Sequence, residues 1–480
     1  MINDLREFVE AAEALGECTV VENVDWDLEI GSLSEVVAAT HEPPMLLFDR
    51  IKGYPKGYRV ATLTLGTGRR LALALGFPKM SENRDLVAYW RGRLREGMKP
   101  VAPVEVATGP VKENVLTGEE VDLYKFPVPK WHSGDGGRYI GTGDMVIMRD
   151  PDEGWVNVGT YRVQIHNQDK RKAMIWVSPG HHARVIREKY WAKGKAAPVA
   201  VVCGQEPLLF YAASIQAPWG SSEYDYAGWL KNKPIEVTKG VVTDLPIPAT
   251  AEIVLEGEVM PPEIDATEEG PFGEWTGYYA SNVRSEATFR VKAILHRNDP
   301  IILGCPPLMN LQASYGGNVR LAAMLWDELG KIVPGVEGVW LLEEARCYYM
   351  PVVSIKQMYP GHARQVALAV ASSRVAGYHG RFVVVVDDDI DPFNTSEVLW
   401  ALATRCDPET QIDIARGCWS TPLDPTISPE RRGQKDWTNS RALILACKPY
   451  HWKDEFPPTF KLSPEEVRKV KEKWQWLFKK

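Results

Sequence analysis

What most constrains this chain is a change of periodicity that happens twice along its 480 residues. Up to about residue 110, short strand patterns alternate with helix patterns. From about 112 to 305, strand patterns follow one another almost without interruption, and after about 318 the alternation returns. Alternating units and runs of strands bury their apolar faces in different layer arrangements, so the pattern predicts an α/β unit, then a β-rich unit, then a second α/β unit.

The first stretch opens with NDLREFVEAAEAL (3–15), where Asn3 is the candidate N-cap and Leu5, Phe8, Val9 and Ala12 fall at helical spacing. Strand and helix patterns then alternate through CTVVENV (18–24), a helix near 30–40, MLLF (45–48), YRVATLTLG (58–66) and ENRDLVAYWRGRLREG (82–97). The Pro-punctuated MKPVAPVEVATGPV (98–111) reads as a linker. The middle stretch carries eight strand patterns, from GDMVIMRD (143–150) to PIILGC (300–305), broken only by helices near 181–193 and 223–232. So many strands in sequence predict a barrel or curled sheet. In the last stretch, RFVVVVDDDI is a near-continuous apolar run, as in a parallel sheet buried on both faces. The tail SPEEVRKVKEKWQWLFKK has a stripe of Val467, Val470, Trp474, Leu477 and Phe478 with no later partner in sequence. That stripe must dock back on the chain or onto another subunit.

Composition excludes several classes. Apolar residues at 45% and charged residues at 25% suit a globular protein, and 56 Lys+Arg against 63 Asp+Glu (net −7) leave no broad basic surface for nucleic acid. No apolar run approaches the ~20 residues of a membrane span. Asp4, Arg6, Glu7 and Glu10 interrupt any secretory apolar region at the start. The seven cysteines lie far apart with no Cys-x-x-Cys pair, which argues against structural zinc and a disulfide framework and suits a reducing cytoplasm.

Four clusters carry potential chemistry. In TEEGPFGEWTGY (267–278), two glycines and a proline force a turn with Glu269 and Glu274 on its flanks. Either both carboxylates enter one space, which raises one pKa and makes an acid for neutral pH, or they face water on a surface hairpin. In NVGTYR (157–162), Asn157 and Arg162 are five apart and face opposite sides of an ideal strand unless Gly159 marks a bulge. A buried Arg162 needs a carboxylate partner. Gly180-His181-His182 and Ser221-Ser222-Glu223 stand at helix starts. With the Asn157 amide they offer hard N/O donors suited to Mn²⁺ or Mg²⁺ bridging a phosphate, although the spacing matches no metal motif. Asp387-Asp388-Asp389 ends the apolar strand, where it holds Mg²⁺ or is a solvated strand end before a helix capped at Asn394-Thr395. Gly66-Thr67-Gly68-Arg69-Arg70 is a phosphate cradle or a plain turn.

Taken together and in order, these pieces resemble one family. NVGTYR (157–162), PGHHAR (179–184), SSEYDYAG (221–228), AEIVLEGEV (251–259), EGPFGEWTGYY (269–279), VVSIKQMYPGHA (352–363) and DDDIDPFNTSEVLWALATR (387–405) look like the UbiD family of prenylated-flavin-dependent decarboxylases. The resemblance implies an N-terminal α/β domain (1–110), a central split β-barrel of flavin-reductase type (111–310) and a C-terminal α/β domain (311–450). A linker and helix (451–480) would then pack on a dimer partner. It implies prenylated FMN, supplied by a separate flavin prenyltransferase, with Mn²⁺ (or Mg²⁺) and K⁺ nearby.

By the same resemblance, Arg162, Glu269 and Glu274 are the catalytic network, and Asn157, His182 and Glu223 hold the metal. Two imidazoles stand where the pattern has one, and the second, His182, fits the ligand role. Thr160, Tyr161, Ile175, Trp176 and His181 line the cofactor, and Lys356 contacts its phosphate. The implied reaction is reversible, non-oxidative loss of CO₂ from an aromatic, heteroaromatic or α,β-unsaturated acid through a covalent adduct with the flavin. Within PPLMNLQASYGGNVR (306–320), Gln312 and Arg320 either read a ring heteroatom and a second anionic group, or Arg320 merely flanks the next helix. The competing readings are an FMN oxidoreductase on a split barrel and a non-catalytic subunit of a multi-subunit carboxylase.

Overall fold

The computed structural model describes residues 2–280, 282–309 and 316–478. Its first helix, Leu5–Ala14, buries Leu5, Phe8, Val9 and Ala12 on one stripe. The cap is Asp4 rather than Asn3: Asp4 accepts the Glu7 N–H, while the Asn3 N–H donates to the Glu7 carboxylate at 2.8 Å. Both acceptors sit in the first turn, where the orphan N–H groups are.

The N-terminal sheet runs Cys18–Glu22, Met45–Asp49, Arg59–Thr62 and then Ile301–Leu303, which pairs parallel with Arg59–Thr62. The sequence pattern placed this last strand in the central series, but it completes the first sheet instead. The all-apolar run Met45–Phe48 also finds its reason here. Met45 and Leu47 enter one core together with Phe8, Trp90, Val353 and Val384. Leu46 and Phe48 enter another with Trp131, Val163 and Leu255. Alternate residues of one strand thus bury against opposite neighbours, each contributing about 1.5–3 kcal/mol.

The central unit is a ten-stranded sheet in the order Tyr139–Gly141, Val163–Ile165, Lys172–Ile175, Arg284–His296, Ile253–Val259, Ala197–Val202, Met145–Arg149 and Val156–Gly159. Arg284–His296 is long enough to pair with two further strands, Ala266–Glu269 at its start and Asn114–Thr117 at its end. Among the described residues the two end strands do not pair with each other, so the path stays open. The expected linker contributes Val104–Glu105 to a small sheet with Glu236–Lys239 and Pro246–Pro248.

The C-terminal sheet runs Val336–Leu341, Pro351–Ile355, Phe382–Asp387, Thr438–Ala446 and Ile412–Trp419. Val383 to Val386 are fully buried in the middle of it, as the apolar run requires. Ile412–Trp419 shows no strand signal because it is a half-exposed edge whose residues mix polar and apolar on both faces. The tail helix Pro464–Lys473 is fixed by a reciprocal Ser463–Glu466 capping box. It leaves Val470, Trp474, Leu477 and Phe478 exposed. Among the described residues, no helix is long and apolar enough to cross a membrane.

Candidate active site

The strand Val156–Gly159 ends where the Tyr161 ring folds back on it: a Cβ at Gly159 would lie 2.6 Å from that ring. Thr160, Tyr161 and Arg162 leave the ladder, and pairing resumes at Val163. The break frees Arg162 from strand alternation. On the acid side, Glu269 stands opposite Arg284 in the hairpin, and the chain then leaves the ladder. The Glu274 N–H donates to the Tyr278 carbonyl at 3.0 Å, and the Gly277 N–H to the Glu274 carbonyl at 2.8 Å. The Gly273 N–H donates to Asp135 Oδ1 at 3.0 Å, which pins the near side of this turn.

These constraints converge. Arg162 Nε donates to Glu269 Oε1 at 2.7 Å and Nη2 to Glu269 Oε2 at 3.1 Å, while Nη1 donates to Glu274 Oε1 at 2.5 Å. The side chains are 8%, 0% and 8% exposed in the order Arg162, Glu269, Glu274, so water screens none of them. Burial alone would push the Arg162 guanidinium down, but the charge of Glu274 and the hydrogen bonds and charge of Glu269 outweigh it and hold the group above its ordinary value. The Tyr139 hydroxyl donates to Glu269 Oε1 at 3.3 Å and to Gln164 Oε1 at 3.1 Å, and the Gly270 N–H donates to that same Gln164 oxygen at 2.9 Å. Burial, then the Glu269 charge, raises the Tyr139 phenol.

Sequence reasoning missed Tyr139, Gln164 and above all Arg284. The Arg284 guanidinium lies 3.7 Å above the Trp176 ring and 3.6 Å from Glu269. Burial and the neighbouring Arg162 both push it down. The hairpin register sets Arg284 opposite Glu269, a pairing that no local sequence pattern announces.

The second group of expected residues gathers at the edge of Val156–Gly159. Glu223 is the first residue of the helix Glu223–Lys231, and its Oε2 accepts the Val158 N–H at 2.7 Å. Burial pushes that carboxyl up to about 8. Asn157 is buried, with its Nδ2 unpartnered. His182 begins the helix His182–Ala192, its ring set edge-on to Trp155 at 5.6 Å and Trp219 at 5.2 Å. His181, just before it, packs against Tyr161 at 5.8 Å. Burial pushes both imidazoles down, so neutral nitrogens are available as ligands. Among the described residues no three His, Cys, Asp or Glu side chains cluster closely enough for a metal. Any such site here therefore depends on the Asn157 amide. Hard oxygen and imidazole donors fit Mn²⁺ or Mg²⁺.

Other expected residues are placed as follows. Thr160 donates to the Asp144 carbonyl at 3.1 Å, and Ile175 is buried beside Val163. Trp176 lies 5.7 Å from the Arg162 guanidinium. Lys356 is exposed just beyond the strand Pro351–Ile355, and no contact joins it to the Arg162 group among the described residues. Gln312 lies outside the described residues. Arg320 lies in the first turn of the helix Asn318–Leu329, packs on Tyr211 and donates to the Ser214 carbonyl at 3.2 Å. Asp387 and Asp389 are spent on Arg405 and Lys448, Asp388 is exposed, and Asn394 caps Thr395–Arg405. Thr67 caps Gly68–Leu75, and Arg70 is buried on Glu17 at 2.9 Å, so that segment is a helix start.

Comparison with known proteins places this geometry. Residues 102–309 match the Rift-related domain of 3-octaprenyl-4-hydroxybenzoate carboxy-lyase (UbiD), residues 9–90 its N-terminal domain and residues 315–446 its C-terminal domain. The chain belongs to the UbiD family. A family relative, the pyrrole-2-carboxylic acid decarboxylase of Pseudomonas aeruginosa, is 34% identical over 425 residues, 84% of this chain and 83% of its own. The vanillic acid decarboxylase of Sedimentibacter hydroxybenzoicus, in its open form, is similar at a TM-score of 0.84 and 30% identity over 100% of both chains. A UbiD-class enzyme of Pelotomaculum thermopropionicum in complex with FMN is similar at a TM-score of 0.84 and 29% identity, over 97% of this chain and 98% of its own. An evolved dimeric form of that enzyme, solved with prFMN, is similar at 0.81 and 28% identity over 98% of each chain. As a UbiD family member, the chain is a decarboxylase of the carboxy-lyase class.

Proposed function

We propose that the chain removes CO₂ from an aromatic or heteroaromatic acid, with Arg162, Glu269 and Glu274 as its catalytic residues and prenylated FMN as its cofactor. The observation that carries the reading is the Arg162 guanidinium buried between two carboxylates. When bound, the prenylated flavin supplies the electron sink that an sp² carbon losing CO₂ requires. Arg162 orients the substrate carboxylate through its charge. Glu269, gripped through both oxygens and braced by Tyr139, fixes the plane of that guanidinium. Glu274 delivers the proton to the carbon that has lost CO₂, and the same group takes it back in the carboxylating direction.

Asn157, Glu223 and His182 would hold Mn²⁺ or Mg²⁺, with K⁺ as a further ion, and the metal would supply positive charge for binding the cofactor's phosphate. The raised Glu223 carboxyl fits a group that a cation would complete, and the buried, unpartnered Asn157 Nδ2 is a donor that a phosphate oxygen would satisfy. Thr160, Tyr161, Ile175, Trp176 and His181 line the cofactor. Lys356 is the residue that would contact the phosphate from the C-terminal domain. The open ten-stranded sheet is the split barrel, and the domain bounds fall near 110, 310 and 450. The exposed tail stripe packs on a second copy of the chain, giving a homodimer or a larger assembly. Seven free thiols suit a reducing compartment such as the cytoplasm.

The deciding experiment co-produces the chain with a flavin prenyltransferase and records the mass and spectrum of the bound flavin. Aryl, furan, pyrrole and acrylic acids are then screened for CO₂ release with oxygen excluded. A bound flavin of prenylated mass and turnover of a ring acid are expected. Plain FMN that bleaches with NAD(P)H, and no decarboxylation, would point to an oxidoreductase instead.

A further inference from the structure

Three polar groups without hydrogen-bond partners converge beside Glu274. Trp275 follows Glu274 directly, and its ring is packed by Tyr348, Tyr349 and His379 at centroid distances of 5.0, 5.1 and 5.0 Å. Tyr348 and His379 face each other at 5.1 Å, and Tyr378 backs His379 at 4.2 Å. The rings come from three separate segments: the catalytic turn, the loop after Val336–Leu341 and the loop before Phe382–Asp387. Arg346 fastens the second to the first, with Nε donating to the Trp275 carbonyl at 2.8 Å and Nη1 to the Leu308 carbonyl at 3.0 Å.

Among the described residues no hydrogen bond reaches the His379 imidazole or the Tyr348 hydroxyl, and the buried Tyr349 hydroxyl has no partner either. A buried hydroxyl such as that of Tyr349 is rarely left unsatisfied, and the half-buried Tyr348 and His379 keep their polar atoms open to a ligand. Aromatic walls with a few convergent polar groups are the make-up of a ligand pocket.

We propose that this crevice is the ring subsite for the acid, and that His379 and Tyr348 read an uncharged hydrogen-bonding group on the ring, a phenolic hydroxyl or a ring N–H. The proposal rests on the reading of Glu274 given above. Burial and then the Arg441 charge push His379 down to about 3, so near neutral pH its imidazole offers one donor and one acceptor and no charge. The cations that border the cluster are engaged with the fold: Arg346 on the Trp275 and Leu308 carbonyls, Arg381 on Asp424, Arg441 on the Ala376 carbonyl and Arg320 on the Ser214 carbonyl. The faces of Trp275 and Tyr348 supply stacking for a flat ring. A site built to hydrogen-bond a substituent discriminates strongly against the analogue that lacks it.

The test uses the flavin-loaded enzyme and three probes: 4-hydroxybenzoate, pyrrole-2-carboxylate and benzoate. Two readouts are taken: kcat/KM for each acid, and Kd from the change each acid makes in the bound-flavin absorbance. His379→Phe keeps the aromatic volume and removes both nitrogens. It is expected to weaken both readouts for the hydroxylated and N–H acids at least about tenfold, leaving benzoate within about threefold. Tyr348→Phe is expected to move them in the same direction by less. Equal losses on all three acids, no loss on any, or a parent enzyme that binds none of them overturns the subsite. A parent that binds the acids in the stated order but converts none counts against the proposed function, and the Kd pattern of the variants still decides the subsite.

Discussion

Two places in this molecule gather acids around one buried arginine, and they do different work. At the first, Arg162 holds Glu269 and Glu274. At the second, Arg405 holds Asp389 through two nitrogens at 2.6 and 2.9 Å and Asp387 at 3.0 Å. In the second cluster the acceptors are spent on the fold. Asp387 also takes the Lys448 N–H and the Gln357 amide, both at 2.7 Å, and Lys448 Nζ adds another cation on Asp389 at 3.0 Å. Arg405 closes its helix and Asp387 closes its strand, so the cluster ties two element ends together. The first cluster joins one strand end, Glu269, to two segments outside any strand, those of Arg162 and Glu274. Arg162 and Glu274 stand where strand pairing has stopped, and Trp275 beside them packs on the ring of Tyr348. Acids beside a turn are therefore not by themselves the mark of chemistry, since those of the second cluster are used up by their own scaffold.

The contrast can be broken at several points. Glu274→Gln has the largest expected effect. It keeps the shape and the flavin, yet decarboxylation and exchange of the product C–H with deuterium should both fall by about 10²–10⁴-fold. Turnover like the parent's would remove the proton-donor role. Arg162→Ala leaves two buried carboxylates with no guanidinium between them, and urea unfolding at pH 7 should show a loss of about 3–5 kcal/mol. Because the stranded acids then favour their neutral forms, part of that loss should return as the pH is lowered towards 5. Glu223→Ala should weaken Mn²⁺-dependent FMN binding by more than the roughly 10–100-fold seen when an outer-shell partner of a metal is lost, with little change in unfolding.

Arg405→Gln tests the other half of the comparison. It should lower the melting temperature while leaving kcat of the folded enzyme within about twofold, since the group helps only the scaffold. The smallest effect is in acid. Burial would raise the Asp389 carboxyl, but Arg405 and Lys448 hold it down to about 2. A depressed carboxylate contributes stability that is complete above its ordinary value of 3.8 and is lost as the pH falls through about 2. Asp389 is a third exposed, so that contribution is expected to be below about 1 kcal/mol. Asp389→Asn should flatten the stability profile in that window and nowhere else.

Much of this was legible in the order of residues. Helices with clean stripes, such as Leu5–Ala14, and the apolar run at Val383–Val386 declared themselves because their burial follows one period. The seven motifs placed Arg162, Glu269 and Glu274 in one group, and the structure brings those three together. Arg284 escaped because its role comes from pairing across a hairpin, which no local window contains. Pro207–Ala213 escaped for the opposite reason: every residue in it is buried, so it has no polar face to set a period. The two imidazoles were legible as candidate donors in kind, but their surroundings, Tyr161 for His181 and Trp155 and Trp219 for His182, come from tertiary packing.

The parallel seam between Arg59–Thr62 and Ile301–Leu303 has a consequence for how the chain is made. A ribosome releases the first three strands of that sheet some 240 residues before the fourth, counted from Arg59 to Ile301. Until then, one edge of an apolar sheet stands bare, the kind of template that invites pairing with strangers. Newborn chains should therefore depend on chaperones through most of translation, and a fragment cut near residue 300 should precipitate rather than behave as a free-standing module.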